Sequence, residues 1–363
     1  MALESLDKVE ILYFNKILNS WYSQNARDLL WRSTKDPYKI WLSEIILQQT
    51  RVAQGTPYYL KFVREYPTVF DLARAEQQDV LRLWQGLGYY SRARNMHATA
   101  QRIVAEFDGL FPRSAKELLQ FKGLGAYTAA AVASFAFDEV VPAIDGNVYR
   151  VLARIFGISA DILKPEGKRE FQRLAEGLIS REDPATYNQA MIEFGALQCV
   201  PVAPDCANCV FSDHCYAYAH QAQGRLPVKT KKAKARNRYL NYFILHNHET
   251  LVMKERIGKG IWEGLYDFYE IESDEPMAVL DSFSADSGLL DLLGQGVVSE
   301  VPKSFVHLLT HQKLHVQFWR VDFREGAIPD LPNGYKVYPL LEIEKLPKPI
   351  LIDLVLKEEG LLE

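Results

Sequence analysis

Cysteine is nearly missing from this chain: there are four in 363 residues, all between positions 199 and 215. A disulfide framework would need two bridges inside that short stretch, so disulfides do not hold this protein together. Long apolar runs are also missing. The Ala-rich stretch from Ala129 to Phe137 is far too short to cross a bilayer. The opening MALESLDKVEILYF has no basic region ahead of an apolar segment, so no export signal is expected. Unpaired thiols without an export signal place the protein in a reducing, cytoplasmic compartment, and the lack of a targeting or regulatory extension points to a prokaryotic source. No internal repeat is visible. Hydrophobic residues make up 48% and charged residues 24%, enough to bury globular cores, and at this length two domains are expected.

The charge is unevenly spread. Residues 1–238 hold 31 Lys+Arg against 25 Asp+Glu, a balance of +6; residues 239–363 hold 11 against 21, or −10, which together recover the net −4. A basic first part suits a polyanionic partner. The junction, GRLPVKTKKAKARNRY, carries Arg225, Lys229, Lys231, Lys232, Lys234, Arg236 and Arg238 and no acid. It reads as a linker over 225–238 that can also reach phosphates.

From Leu6 to about Tyr218 apolar residues recur at spacings of three and four, punctuated by Pro and Gly, which predicts many short helices. DPYKIWLSEIILQQTRVAQGTPYYLKF is expected to be helical throughout. Beyond the linker, Tyr239–His246, Thr250–Glu255, Leu265–Ile271 and Leu314–Phe323 read as strands, and MAVLDSFSADSGLLDLL and PKPILIDLVLKEEG as helices. The expected division is 1–224, 225–238 and 239–363.

The chemistry-bearing residues come next. Cys199, Cys206, Cys209 and Cys215, with six, two and five residues between them, can bring four thiolates to one centre. The unequal gaps fit a zinc ribbon poorly and favour a 4Fe–4S cluster; structural zinc and unrelated buried thiols are the alternatives. FKGLGAY sets two glycines between helices. It is either a packing turn or a hairpin whose amides hold a phosphate without reading a base. In VPAIDGNVYR, Asp145 ends a loop before a helix, which an N-cap role would satisfy. Glu44 lies among apolar residues, so its carboxyl is expected to be hard to ionise unless it sits on an exposed face.

The hairpin, the downstream Asp-Gly-Asn-Val and the cysteine loop, in that order, resemble the helix–hairpin–helix DNA glycosylases of the endonuclease III superfamily. WLSEIILQQTRVAQGTPYY and WQGLGYYSRARNMHATAQRI resemble the MutY-type adenine glycosylases. The likeness spans roughly 8–220, and more thinly 235–345. It implies a mainly α helix–hairpin–helix domain with an iron–sulfur loop, followed by an α+β Nudix-like domain. The substrate implied is adenine mispaired with 8-oxoguanine or guanine in double-stranded DNA, handled by a single copy with no membrane partner.

Members that also nick DNA carry a lysine two residues after the second hairpin glycine; Tyr127 stands there, which makes this chain monofunctional. Glu44 is the expected general acid and Asp145 the carboxylate facing the sugar, with Tyr127 and Asn147 orienting them. By resemblance Arg27, Trp31, Arg32 and Glu193 line the adenine pocket, Gln49 and Tyr89 are wedges, and Gly123, Leu124 and Gly125 hold phosphate. Surface packing is the plainer reading of Tyr89 and Tyr90. Leu309, Thr310 and His311 stand where the family has an aromatic–Ser/Thr–His element. The second domain lacks the Arg-Glu-x-x-Glu-Glu cluster of Nudix hydrolases, so it should recognise and not hydrolyse. His307, His311 and His315, four apart, would suit a metal only on a helix. The competing readings are a glycosylase/lyase for oxidised pyrimidines and a non-catalytic iron–sulfur DNA-binding protein.

Overall fold

The computed structural model describes residues 8–230, 235–277, 292–299, 301–323, 328, 331 and 334–362. The chain divides into two compact units, Met1–Arg74 with Asn95–Lys231 and Ala75–Arg94 with Lys232–Glu363. Residues 75–94 therefore pack with the C-terminal sheet, although they lie inside the helical stretch of sequence. Among the described residues no helix is long and apolar enough to cross a membrane.

The first unit is helical. Lys8–Asn25 returns to the end of the unit: Phe14, Leu18 and Trp21 enter a core with Val148, Leu152, Phe171, Leu174, Phe194 and Phe211. The segment expected to be one helix is two, Pro37–Leu47 and Val52–Glu65. No glycine or proline marks the break. Gln49 takes a left-handed φ of 56°, which ends the first helix and leaves Gln49 exposed at the turn. Pro37–Leu47 packs against the Ala-rich helix Ala126–Phe137. The latter is buried from Thr128 to Phe135, where small side chains let neighbours approach closely. Gly146–Phe156 and Pro184–Leu197 complete the frame of the cleft.

The second unit is a mixed sheet. Its strands are β1 Arg236–His246, β2 Thr250–Glu255, β3 Tyr266–Asp267, β4 Tyr269–Ser273, β5 Val297–Val298, β6 Lys303–Leu308, β7 Gln312–Asp322 and β8 Lys336–Pro339. β1 and β7 run parallel over their whole lengths, Arg236↔Gln312 to His246↔Asp322, and the remaining pairs are antiparallel. This central pair is covered on both faces, as parallel strands usually are. Leu240, Tyr242, Ile244, Leu314, Val316 and Phe318 face a core shared with the helix Ile350–Glu358. Phe243, Leu245, Trp319 and Val321 face a second core. The expected strand Leu265–Ile271 is two short strands that pair differently, β3 with β2 and β4 with β1. Most of the expected helix MAVLDSFSADSGLLDLL lies outside the described residues. The histidines do not share a helix: His307 is on β6, His315 on β7, and His311 in the turn between them.

Segment 75–94 is tied into this unit by polar contacts. The Gln78 amide donates to Tyr266 Oη (2.8 Å), Arg94 donates to the Glu263 carbonyl (2.6 Å), and Lys348 N–H donates to Gln85 Oε1 (3.1 Å). The Tyr90 hydroxyl donates to the Lys348 carbonyl (3.1 Å).

Candidate active site

The helix Pro37–Leu47 starts on Asp36, whose carboxylate accepts the Tyr38 N–H (3.0 Å), with proline at the first position. Ile40, Trp41, Leu42, Ile45 and Ile46 are buried. Glu44 turns into a cleft of about 820 Å³ that also holds Arg27, Trp31, Arg32, Gln49, Gly123, Gly125, Tyr127, Asp145 and Asn147. Burial pushes the Glu44 carboxyl up to about 7. A hydrogen bond from the Tyr127 hydroxyl opposes the shift, the charge of Asp145 adds to it, and Arg32 pulls it back. The Tyr127 phenol, in the first turn of Ala126–Phe137, is itself pushed well above its ordinary value by burial and by Glu44 and Asp145.

Asp145 is the N-cap of Gly146–Phe156. Its Oδ1 accepts the Asn147 and Val148 N–H groups (2.8 Å each), and its Oδ2 accepts the Asn147 amide (2.7 Å). Burial raises its carboxyl and these donors hold it back, with a net rise. A cap therefore fixes the carboxylate's position, and the reading as an N-cap and the reading as a reactive group describe one geometry. The opposite wall comes very close: a Cβ at Gly195 would lie 2.6 Å from Asn147 Cβ. Only glycine fits there.

Glu193 does not line the cleft as expected. It is fully buried behind it. Arg27 grips it with Nε to Oε1 (2.8 Å) and Nη2 to Oε2 (2.6 Å), Arg32 Nη2 reaches Oε2 (2.7 Å), and the Arg27 N–H adds a fourth donor (3.0 Å). Burial alone would raise this carboxyl, but the donors overcome it and hold it at about 2. Glu193 thus positions the two arginines that do line the cleft. Trp31, beside them, packs edge-on against Tyr59.

In the hairpin, Gly123 has a φ of 83° and Gly125 caps Ala126–Phe137 without any side-chain hydrogen bond. The helices begun by Asp36, Asp145 and Asp183 have their first amides satisfied by side chains. This one presents them to whatever lies outside. Leu124 is buried, so only its backbone can face a ligand.

In the second unit a separate cleft is lined by Gly86–Tyr90, Trp262 and residues 307–312. Tyr89 is exposed with a φ of 49°, flanked by Gly86 and Gly88 at positive φ, and its hydroxyl shares a hydrogen bond with Thr310 Oγ1 (2.7 Å). Tyr90 is buried. His311 is exposed, and Leu309, a leucine where the family has an aromatic, is partly buried against the core and lines the same cleft.

The four cysteines line one small cavity with Arg154, Asp205 and Gln223. Arg154 is buried and donates to the carbonyls of Val200, Pro201, Gln223 and Leu226, and to Cys199 Sγ (3.5 Å). Backbone N–H groups of Phe211, Ala217 and Tyr218 reach the sulfurs of Cys209 and Cys215. Arg150 joins Asn147 Oδ1 (2.8 Å) to the carbonyls of Gly195 (2.7 Å) and Cys199 (2.7 Å). Neither arginine stood out in the sequence, because an arginine on an amphipathic helix reads as a solvated charge.

Residues 42–177 match the HhH-GPD superfamily of base excision DNA repair proteins, and residues 241–358 match the NUDIX domain. The chain is 33% identical to an adenine DNA glycosylase of Buchnera aphidicola, covering 75% of that protein and 72% of this one. The chain belongs to the adenine DNA glycosylase family. It is 34% identical to the Arabidopsis thaliana adenine DNA glycosylase across 87% of its own length and 58% of that protein's. It spans about half the length of the plant and rodent relatives it matches, 44% to 58%. Family members come from plants and mammals as well as bacteria, so the matches do not favour a prokaryotic source. Of solved structures, a thermostable thymine-DNA glycosylase superposes with a TM-score of 0.53 at 27% identity, covering 58% of this chain and 97% of its own.

Proposed function

We propose that this chain is a monofunctional glycosylase that hydrolyses the N-glycosidic bond of adenine mispaired with 8-oxoguanine or guanine in duplex DNA. The observation that carries this reading is Glu44. Its carboxyl is held near pH 7 in a cleft that also contains Asp145, fixed by three N–H donors. A carboxyl near that value can give up a proton and take one back at neutral pH.

The bond to be broken sets the roles. Glu44 donates a proton to the five-membered ring of an adenine turned out of the stack, the C–N bond electrons leave with the base, and positive charge develops on the sugar. Asp145 faces that charge. The Glu44 carboxylate left behind accepts a proton from the water that attacks the sugar carbon. Tyr127 and Asn147 orient the two carboxyls, and Arg27, Trp31 and Arg32 meet the extruded base. No lysine is among the described residues lining the cleft, and Lys122 is exposed outside it, which supports hydrolysis over Schiff-base chemistry.

Base extrusion costs a few kcal/mol. Gln49 and Tyr89, both held at positive φ, are the proposed wedges, since strained backbone of this kind persists where it is used. The uncapped amides at Gly123–Gly125 hold a phosphate. Thr310 and His311 are the proposed polar contacts to 8-oxoguanine. The second unit is proposed to recognise the mispair and not to hydrolyse, since its sequence lacks the Arg-Glu-x-x-Glu-Glu cluster of Nudix hydrolases.

Cys199, Cys206, Cys209 and Cys215 would hold a 4Fe–4S cluster. All four face one cavity, and N–H donors point at the sulfurs of Cys209 and Cys215. When bound, the cluster supplies a structural clip for the 199–215 loop.

The test is single-turnover reaction with a duplex carrying adenine opposite 8-oxoguanine, worked up with and without alkali. Free adenine with strand breakage only after alkali is expected. Breakage without alkali would overturn monofunctionality, and no release of adenine would overturn the enzyme reading.

A further inference from the structure

Gln48 and Gln49 are the same residue twice, and the turn between Pro37–Leu47 and Val52–Glu65 uses them oppositely. The Leu47 carbonyl accepts the Thr50 N–H (3.1 Å), and the Gln48 carbonyl accepts the Thr50 hydroxyl (3.3 Å). Between them Gln49 holds its left-handed φ of 56° and is exposed. The second helix sits hard against this turn: a Cβ at Gly55 would lie 2.7 Å from Leu47 Cδ2. Gln48, by contrast, is partly buried, and its Nε2 donates to Thr128 Oγ1 (3.1 Å). Thr128 is buried, directly after Tyr127 in the helix that starts at the hairpin. Gln48, Gln49, Tyr127 and Thr128 all line one cleft. The local bonds fix the shape of the turn, and the bond to Thr128 ties that shape to the neighbouring helix. A left-handed glutamine relaxes to ordinary backbone unless its surroundings hold it.

We propose that Gln48 and Thr128 are a positioning pair for the wedge. Their bond keeps the turn seated while Gln49 enters the space that adenine leaves, where the stacked bases push back on it. The same bond holds the wedge in register with Tyr127, so that extrusion delivers the base to Glu44. This rests on the wedge role given to Gln49 above. Both members of the pair are neutral, so it acts on the rate of extrusion and not on the acidity of Glu44.

The test places 2-aminopurine, whose fluorescence rises when it leaves the stack, at the adenine position opposite 8-oxoguanine, and follows it by stopped flow with the whole chain. Release of adenine from the matching adenine duplex is measured in parallel. Thr128→Val and Gln48→Met should each slow both the fluorescence rise and the saturating release roughly fivefold, the worth of one hydrogen bond. The double variant should be no slower than either single one, since both remove the same bond. Thr128→Ser, which keeps the hydroxyl, should restore both rates. The pH at which release declines should stay where it is. Unchanged fluorescence rates in both single variants, effects that multiply in the double variant, or a displaced pH decline would overturn the pair. So would a slower rate that comes with a lowered melting temperature and that Thr128→Ser does not rescue. No fluorescence rise with the wild-type protein would overturn the pair together with the wedge it serves. A rise without any release of adenine rejects the enzyme reading instead, and the fluorescence rates of the variants still decide the pair.

Discussion

The wall and the back of the first cleft each hold a buried glutamate, and the two are driven in opposite directions. Glu44, on the wall, meets a tyrosine hydroxyl and a neighbouring carboxylate, and burial lifts it to about 7. Glu193, behind the arginines, meets four N–H donors from Arg27 and Arg32 and is held at about 2 despite complete burial. One residue type thus serves two purposes, decided by whether a cation is within hydrogen-bonding reach. The protonatable one faces the space a substrate would fill, and the permanently charged one fixes the arginines around that space.

The sharpest way to break this comparison is to remove the proton from the wall. Glu44→Gln keeps the shape but cannot act as acid or base, so adenine release in a single turnover should fall by about a thousandfold or more. Binding to the mispaired duplex, read by gel shift, should persist. Unchanged release would exclude Glu44 as the acid. Next in size is the loss of the cations behind the cleft. Arg27→Met with Arg32→Met strands the Glu193 charge in the interior and should cost roughly 3–5 kcal/mol of stability, measured by urea unfolding. A smaller cost would mean that water or another cation reaches Glu193.

Acidity separates the two residues further, and the signs are opposite. Glu44 is raised above its ordinary 4.5, so its contribution to stability is present below 4.5 and lost as pH rises through about 7. Glu193 is lowered, so its contribution is present above 4.5 and lost as pH falls toward about 2. Urea midpoints measured against pH should therefore lose their slope between 4.5 and 7 in Glu44→Gln, and between 4.5 and 2 in Glu193→Gln. Adenine release by the wild-type protein should decline above about pH 7, where Glu44 arrives without its proton.

Half of this comparison was legible in the sequence. Glu44 is flanked by Leu42, Ser43, Ile45 and Ile46, so its burial follows from local pattern, and Asp145 precedes a helix in a recognisable cap. Glu193 was identifiable only as a pocket residue by resemblance, because its partners lie 161 and 166 positions away. The same distance problem hid Arg154, whose acceptors come from separate turns of the cysteine loop and beyond. Local pattern also misled where backbone conformation, not composition, sets the outcome. The break at Gln49 has no Gly or Pro to announce it, and the packing of 75–94 with the sheet depends on contacts such as Tyr90 to Lys348. Leu309 follows β6 and packs partly against the core, and β6 is not among the strands the pattern reveals.

The smallest expected effect sharpens the comparison most finely. Tyr127 is the group that keeps Glu44 from rising further, since its hydroxyl donates to the ionised carboxylate. In Tyr127→Phe that donor is gone, so the Glu44 carboxyl should hold its proton to higher pH and the decline in adenine release should move toward alkali. The rate on the neutral plateau should fall only about fivefold, the worth of one ordinary hydrogen bond. A decline displaced toward acid would mean that Tyr127 acts on Asp145 and not on Glu44. An unmoved decline with a lower rate would confine the phenol to holding substrate, and the acidity of Glu44 would then rest on burial and the nearby Asp145 charge.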